Sequence, residues 1–326
     1  MTPPHLPVAL LGDQGQLPES ARQSIRALTG PRPVYFLTQL ALAWLVIAIM
    51  IGWAVYAQTW WVSLLTILIV ATRQNVLALL VHDQAHCLGF KPRYGDLFVN
   101  LVAAYPLLFL TVEGYAKVHL SHHKYFFTDR DPDHQRKSGD DWRIPMAPAK
   151  FVRLMLLDLL GLNVIKLVRG KRMAQDAASE FSRQVHPLWR TGFLLGLAGL
   201  LTLTGGWQAF LLYWILPLLT VFQVMVRWGA LAEHQYNLPG ASVAESTPII
   251  VPSLVDRILL PNLNFSLHAY HHYHPSVSAG NLPKLHRIYT ESGLVDRNAL
   301  FHGNRAYLRF VLGKSQPTHT FDNSPA

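Results

Sequence analysis

Sixteen histidines stand in this chain, and eight of them fall into three short clusters. The first is His82-Asp83-Gln84-Ala85-His86, the second His119-Leu120-Ser121-His122-His123 and the third His268-Ala269-Tyr270-His271-His272. On a helix, residues three and four apart share a face. The HxxxH spacing therefore presents two imidazoles from successive turns. HxxHH presents two on one face and a third about 100° around, able to reach toward a second metal. Imidazole suits Fe, Zn, Cu and Ni. A structural zinc site takes about four ligands, so eight imidazoles are too many for one zinc and suit two metals with open positions. Redox iron is the economical reading of that donor set.

His234, in Ala232-Glu233-His234-Gln235, is a ninth candidate ligand. A lone histidine is as a rule structural, but this one emerges just past an apolar stretch, on the side of the three clusters, with a carboxylate beside it. Glu233 is placed to orient an imidazole from outside the ligand shell, or it is simply solvated. Asp83, inside the first cluster, is placed to orient a ligand through a hydrogen bond or to cap a helix. His5, His134, His186, His274, His286, His302 and His319 lack the spacing and are left out. Cys87 is the single cysteine. No disulfide within the chain and no Cys-based zinc or iron–sulfur site is possible, and a reducing cytoplasmic setting is expected.

The elements that must position these residues are apolar. Of 326 residues, 51% are hydrophobic and 14% charged, against roughly 25% charged in a soluble domain. Pro33–Thr72 and Thr191–Val226 carry no charge at all. One span needs about 20 apolar residues, so each stretch is long enough for a helical hairpin. Turns are expected at Ala57-Gln58-Thr59 and Thr204-Gly205-Gly206, each followed by tryptophan, as at a membrane interface. The expected fold is an all-α membrane protein with four transmembrane helices in two hairpins, at about 34–56, 60–81, 189–204 and 207–226. A helical cytoplasmic cap, 82–188 and 227–312, carries the metal site. Residues 1–32 form a cytoplasmic N-terminal segment, 33–312 a single domain and 313–326 a flexible tail. Residues 73–190 hold 17 Lys or Arg and 227–326 hold 8, while the two turns hold none. By the positive-inside rule both termini and the metal site face the cytoplasm, at the inner membrane if the source is bacterial. The net charge of +9 fits anionic lipid on that side, with no nucleic-acid partner. No cleaved signal peptide is expected, because Asp13, Glu19, Arg22 and Arg26 interrupt the first 30 residues.

Three further segments matter. Leu97–Val112, with Asn100 inside and Pro106 near its middle, reads as a re-entrant, interfacial or site-covering helix. Residues 151–168 read as one amphipathic surface helix with Arg153, Asp158 and Lys166 on a polar face. Asp129–Asp141 reads as a charged loop.

From about residue 34 to about residue 290, the clusters and their flanks resemble the membrane fatty acid desaturase family. The second box runs on through Thr128-Asp129-Arg130-Asp131-Pro132-Asp133. The third is preceded by Asn262-Leu263-Asn264-Phe265 and followed by His274-Pro275-Ser276 and Asn281-Leu282-Pro283-Lys284-Leu285-His286. Glu233-His234 resembles the extra ligand site that this family and the related alkane hydroxylases carry between the second and third boxes. The resemblance implies a four-span fold with a cytoplasmic cap and a di-iron centre held by His82, His86, His119, His122, His123, His234, His268, His271 and His272. It also implies O2 as co-substrate and attack on an unactivated C–H bond of a lipid or fatty acyl chain. No His-Pro-Gly-Gly motif of a fused cytochrome b5-like domain occurs. A separate electron donor, a ferredoxin or a cytochrome with its reductase, is therefore expected, docking on the basic face.

Tyr105, Trp142 and Tyr270 are candidates to line a substrate tunnel, with ordinary packing as the alternative. The same centre would serve a hydroxylase, or a decarboxylase forming a terminal alkene from a free fatty acid, since a shift of about an ångström in substrate position changes the outcome. A His-rich membrane transporter would need charged or histidine residues inside the spans, and the charge-free stretches have none.

Overall fold

Lipid offers no hydrogen-bond partners, so an apolar stretch must satisfy its own backbone, and a helix does so locally. After a short α1 (Glu19–Arg26), the first charge-free stretch forms α2 (Pro33–Ala57) and most of α3 (Trp60–Ala85). Pro33 sits in the first turn, where its missing N–H is not needed, and Gln58 at φ +50° turns the chain between the two helices. Next come α4 (Tyr94–Leu107) and α5 (Val112–Tyr125), bent by 94° to one another. The shorter α6 (Pro132–Lys137), α7 (Pro148–Leu159) and α8 (Val164–Ala177) follow. The second charge-free stretch forms most of α9 (Pro187–Thr204) and α10 (Trp207–Glu233), with Gly205 at φ +66° between them. The chain ends in α11 (Val243–Ser246), α12 (Leu254–Leu259), α13 (His268–Tyr273), α14 (Leu282–Glu291) and α15 (Asn304–Val311). Strands β1 (Ile250–Val251) and β2 (Phe301–His302) pair in parallel, Ile250 opposite Phe301. The computed structural model describes residues 6–177 and 183–314; the expected flexible tail lies outside them from residue 315 onward.

Among the described residues α2, α3 and α10 are long and apolar enough to cross a membrane, and the bent pair α4–α5 makes a fourth if it is one span. The expected span at 189–204 falls in α9, which has only 18 residues. At 1.5 Å per residue it is about 27 Å long, a little short of a ~30 Å hydrocarbon core. Leu45, Ile49, Leu64, Leu68, Leu195 and Leu203 point outward and are exposed, a surface suited to lipid.

The third apolar segment is a helix that stops and turns. α4 widens over Asn100–Ala104, Pro106 ends it and Leu108 takes φ +61°. Two indoles take up carbonyls there: Trp44 Nε1 donates to Val102 O and Trp214 Nε1 to Pro106 O, both at 2.8 Å. Buried Asn100 joins the two arms. Its Oδ1 accepts from Val112 N and its Nδ2 donates to Glu113 Oε2, both at 2.8 Å.

Two local expectations change. Residues 151–168 are not one helix, because Gly161 at φ +71° separates α7 from α8. Nor do their polar residues share a face: Arg153 and Lys166 are exposed, whereas Asp158 is fully buried against Arg227 of α10. The stretch 129–141 is not all loop. Asp131 caps and Pro132 starts α6, a pairing that favours a helix start.

One core lies between α2, α3, α4 and α10, with Phe36, Leu40, Leu77, Leu80, Ala103 and Trp214. A second joins the N-terminal segment to the third box, with Leu10, Leu17, Ile25, Tyr270, Leu282 and Tyr289. Leu11 N donates to Leu294 O at 3.1 Å and Arg32 N to Leu88 O at 2.7 Å, so residues 6–32 are fastened beside the first and third boxes.

Candidate metal centre

Four elements bring the boxes together. His82 lies in the last turn of α3 and His86 is its C-terminal cap residue. His119, His122 and His123 lie on α5, His234 follows the end of α10, and His268, His271 and His272 lie on α13. The structure gathers all nine imidazoles into two adjoining groups.

In the first group, ligand nitrogens of His82, His86, His119 and His271 all lie within 4.8 Å of one another. His123 Nε2 stands 3.1 Å from His119 Nε2 and 3.0 Å from His271 Nε2, so it belongs with them. The second group is His122, His234 and His272, again within 4.8 Å, with His268 Nε2 3.1 Å from His272 Nε2. The groups abut where the rings of His123 and His272 stack at 4.2 Å.

These spacings fit a metal. A metal–imidazole bond of about 2.0–2.1 Å places two ligand nitrogens about 2.8–3.4 Å apart at roughly 90–110°. His122 Nε2 and His272 Nε2 lie 3.3 and 3.1 Å from His234 Nε2, and His119 Nε2 lies 3.5 Å from His271 Nε2. Hydrogen bonds alone cannot account for the packing. A neutral imidazole has one N–H, and both ring nitrogens of His82, Nε2 of His86 and Nδ1 of His268 are buried with no partner. A bound cation would satisfy such lone pairs. Burial first, and then neighbouring imidazoles, hold His234, His268, His271 and His272 well below the ordinary imidazole value. Burial and the Arg183 cation take His86 down to about 3. All five therefore stay neutral at physiological pH, the form that offers a lone pair.

Two partners aim the rings. His122 Nδ1 lies 2.8 Å from Asp131 Oδ2, and His234 Nδ1 lies 2.9 Å from Thr247 Oγ1. The box spacing did not single out either partner. Asp131 was visible only as part of a flank and as an Asp-Pro step, and Thr247 carried no signal. Asp83 lies differently from the ligand-orienting role expected for it. Its Oδ1 is 3.9 Å from His82 Nδ1, beyond hydrogen-bond reach, while its Oδ2 accepts from Ser278 Oγ at 3.3 Å. Asp83 thus fastens α3 to the loop after the third box. Glu233 faces a cavity and makes no hydrogen bond to an imidazole among the described residues. His134 and His274, left out above, are bonded to Tyr236 O and to Tyr289 Oη, away from the metal groups.

That cavity, of about 250 Å³, has His82, His119, His122 and His268 on its wall. Leu107, Leu110, Leu218, Phe222 and Met225 line its apolar part, and Asp133, Arg136, Lys137 and Glu233 its polar part. Trp142 lines it too. Tyr105 packs on Phe193 at 5.7 Å, and Tyr270 Oη is bonded to His286 Nδ1 at 2.7 Å in the second core.

The comparisons with known proteins agree with this arrangement. Residues 58–302, three quarters of the chain, match the model of the fatty acid desaturase family. A dihydrorhizobitoxine desaturase from Bradyrhizobium elkanii is 25% identical over 250 residues, which cover 72% of this chain and 70% of that protein. With two histidine groups able to hold metal beside helices apolar enough for a membrane, the chain belongs to the fatty acid desaturase family and is an oxidoreductase of the desaturase type.

Proposed function

We propose that the chain is an O2-dependent, two-iron membrane oxidase that introduces a C=C bond into a fatty acyl chain. His82, His86, His119, His123 and His271 would hold one iron and His122, His234, His268 and His272 the other. The observation that carries the reading is the convergence of two adjoining imidazole groups, at metal–ligand spacing, on the wall of a mostly apolar cavity. Iron held there supplies activation of O2 and removal of hydrogen from an unactivated methylene.

The chain's own part is to bind, aim and exclude water. Burial on Leu107, Leu110, Leu218, Phe222 and Met225 draws in hydrocarbon and keeps water from the histidines. The polar end, with Arg136, Lys137 and Glu233, receives the substrate's head. Asp131 and Thr247 hold the proton on Nδ1 of His122 and His234, so that Nε2 offers its lone pair. Asp83 acts through the third-box loop, and Glu233 acts from the cavity wall beside His234. In the membrane, two hairpins would place the cap, both termini and the metals on the cytoplasmic side, where a separate ferredoxin or cytochrome delivers electrons. The name of the Bradyrhizobium relative speaks of desaturation, which favours this outcome over hydroxylation or decarboxylation.

Metal analysis of the purified protein, with mass spectrometry of lipids from cells expressing it, tests the reading. About two irons per chain and products lighter by two hydrogens are expected. Zinc alone would favour a metal-binding membrane protein, and products carrying added oxygen a hydroxylase. A His122→Ala protein with full iron and full turnover would sink the assignment.

A further inference from the structure

Gln84 lies between the two imidazoles of the first box, on a helix face that points away from them. It is fully buried and fully used. Its Nε2 donates to Asp96 Oδ1 at 2.7 Å and to Phe90 O at 3.2 Å, and its Oε1 accepts from Phe90 N at 3.0 Å. Asp96, on α4, is buried as well, and its other partner comes from far along the chain, just before α9. Arg183 donates Nε to Asp96 Oδ2 at 2.8 Å and pairs through Nη2 with Oδ1. The same guanidinium turns its other N–H groups onto the end of α3. Nη1 donates to Ala85 O at 2.6 Å and Nη2 to Gln84 O at 3.2 Å.

The last carbonyls of a helix have no partner inside it, and a cation there also meets the negative end of the helix dipole. Here one side chain closes the helix end and neutralises a buried carboxylate. Lysine, a point charge, cannot form that fork. His86 follows directly on Ala85, and His82 lies one turn back, so the place of these carbonyls sets the place of both imidazoles. The second group has separate partners in Asp131 and Thr247, which take no part in this network.

We propose that Arg183, paired with Asp96, is the positioning residue of the first box, holding the end of α3 so that His82 and His86 meet His119 and His271 at one metal. This role rests on the two-metal centre proposed above. It makes one metal depend on Arg183 and leaves the other independent of it.

The test uses the full-length protein in lipid nanodiscs, loaded with ferrous iron and challenged with a coloured ferrous chelator. Arg183→Met should release half of its iron roughly 10- to 100-fold faster than wild type, the usual effect of losing a partner that orients ligands. The other half should leave at the wild-type rate. Asp96→Asn should speed the same half, and Arg183→Lys should fall between Met and wild type. A purely structural role would speed both halves together, which would overturn the proposal, as would unchanged release. If Arg183→Met does not fold, Arg183→Lys and Asp96→Asn carry the same test. Wild-type protein with fewer than two irons would sink the two-metal centre and this role with it. Two irons in wild type and an unaltered Arg183→Met would sink only the role of Arg183.

Discussion

Asp131 serves two purposes with its two oxygens. Oδ1 caps α6 by accepting from Asp133 N at 2.9 Å and His134 N at 3.0 Å. Oδ2 accepts from Phe127 N at 3.0 Å and lies 2.8 Å from His122 Nδ1. A carboxylate only accepts, so it holds the His122 proton on Nδ1 and leaves the Nε2 lone pair toward His234. An asparagine must turn its amide N–H2 toward one side or the other. Toward His122 it favours the tautomer with the proton on Nε2, which cannot bind metal. Toward α6 it forfeits a cap worth about 1 kcal/mol. Asp131→Asn is therefore expected to weaken metal binding at the His122 group by roughly 10- to 100-fold, read as iron per chain after dialysis against a chelator. Full iron in that variant would show that the carboxylate does not set the tautomer. The contrast with the histidines is instructive. Box spacing is written along the chain, and all nine imidazoles were legible from it or from the place of His234. Asp131 and Thr247 act across folded loops, and Asp83 reaches Ser278 rather than its neighbour His82, a choice that only tertiary packing makes.

Absence of charge is a property of composition, so the long helices α2, α3 and α10 could be read before any coordinates. The bend between α4 and α5 could not, because it depends on Leu108 at φ +61° and on side chains that replace lost backbone bonds. The break at Gly161 and the burial of Asp158 against Arg227 were hidden for the same reason. Asn100 is the test of how the bend is held. It caps Val112 N and grips Glu113, at the start of the helix that carries the second box. Asn100→Leu keeps a similar volume and leaves that buried N–H without an acceptor, which costs about 1–3 kcal/mol. A loss of that size is expected in unfolding by SDS titration, together with lower iron content as α5 shifts. Unchanged stability would mean that the bend is held by the indoles of Trp44 and Trp214 alone.

At the scale of the whole molecule, charge and architecture make one joint demand. The N-terminal segment shares a core with the third box, and its backbone is bonded beside the first box and α14, so residues 6–32 cannot lie across a membrane from the histidines. In the two-hairpin arrangement proposed above, the chain leaves that side at Pro33 and has returned by His82, at the end of α3. His234 packs against His122 and His272, so in that arrangement the second charge-free stretch returns as well. The two turns, near Gln58 and Thr204, carry no charge, whereas all 28 Lys and Arg lie in segments flanking the charge-free stretches. Lysine and arginine are retained on the cytoplasmic side, which is the ground for the orientation proposed above. In a Cys87→Ser background, Gln58→Cys and Thr204→Cys should react with a membrane-impermeant maleimide added to intact cells. Asn298→Cys, on the exposed loop before β2, should react only after the membrane is opened. Labelling of Asn298→Cys from outside would reverse the orientation. Labelling of Thr204→Cys only from within, with Gln58→Cys reached from outside, would show that the 18 residues of α9 do not cross, leaving the first hairpin as the one membrane-crossing pair.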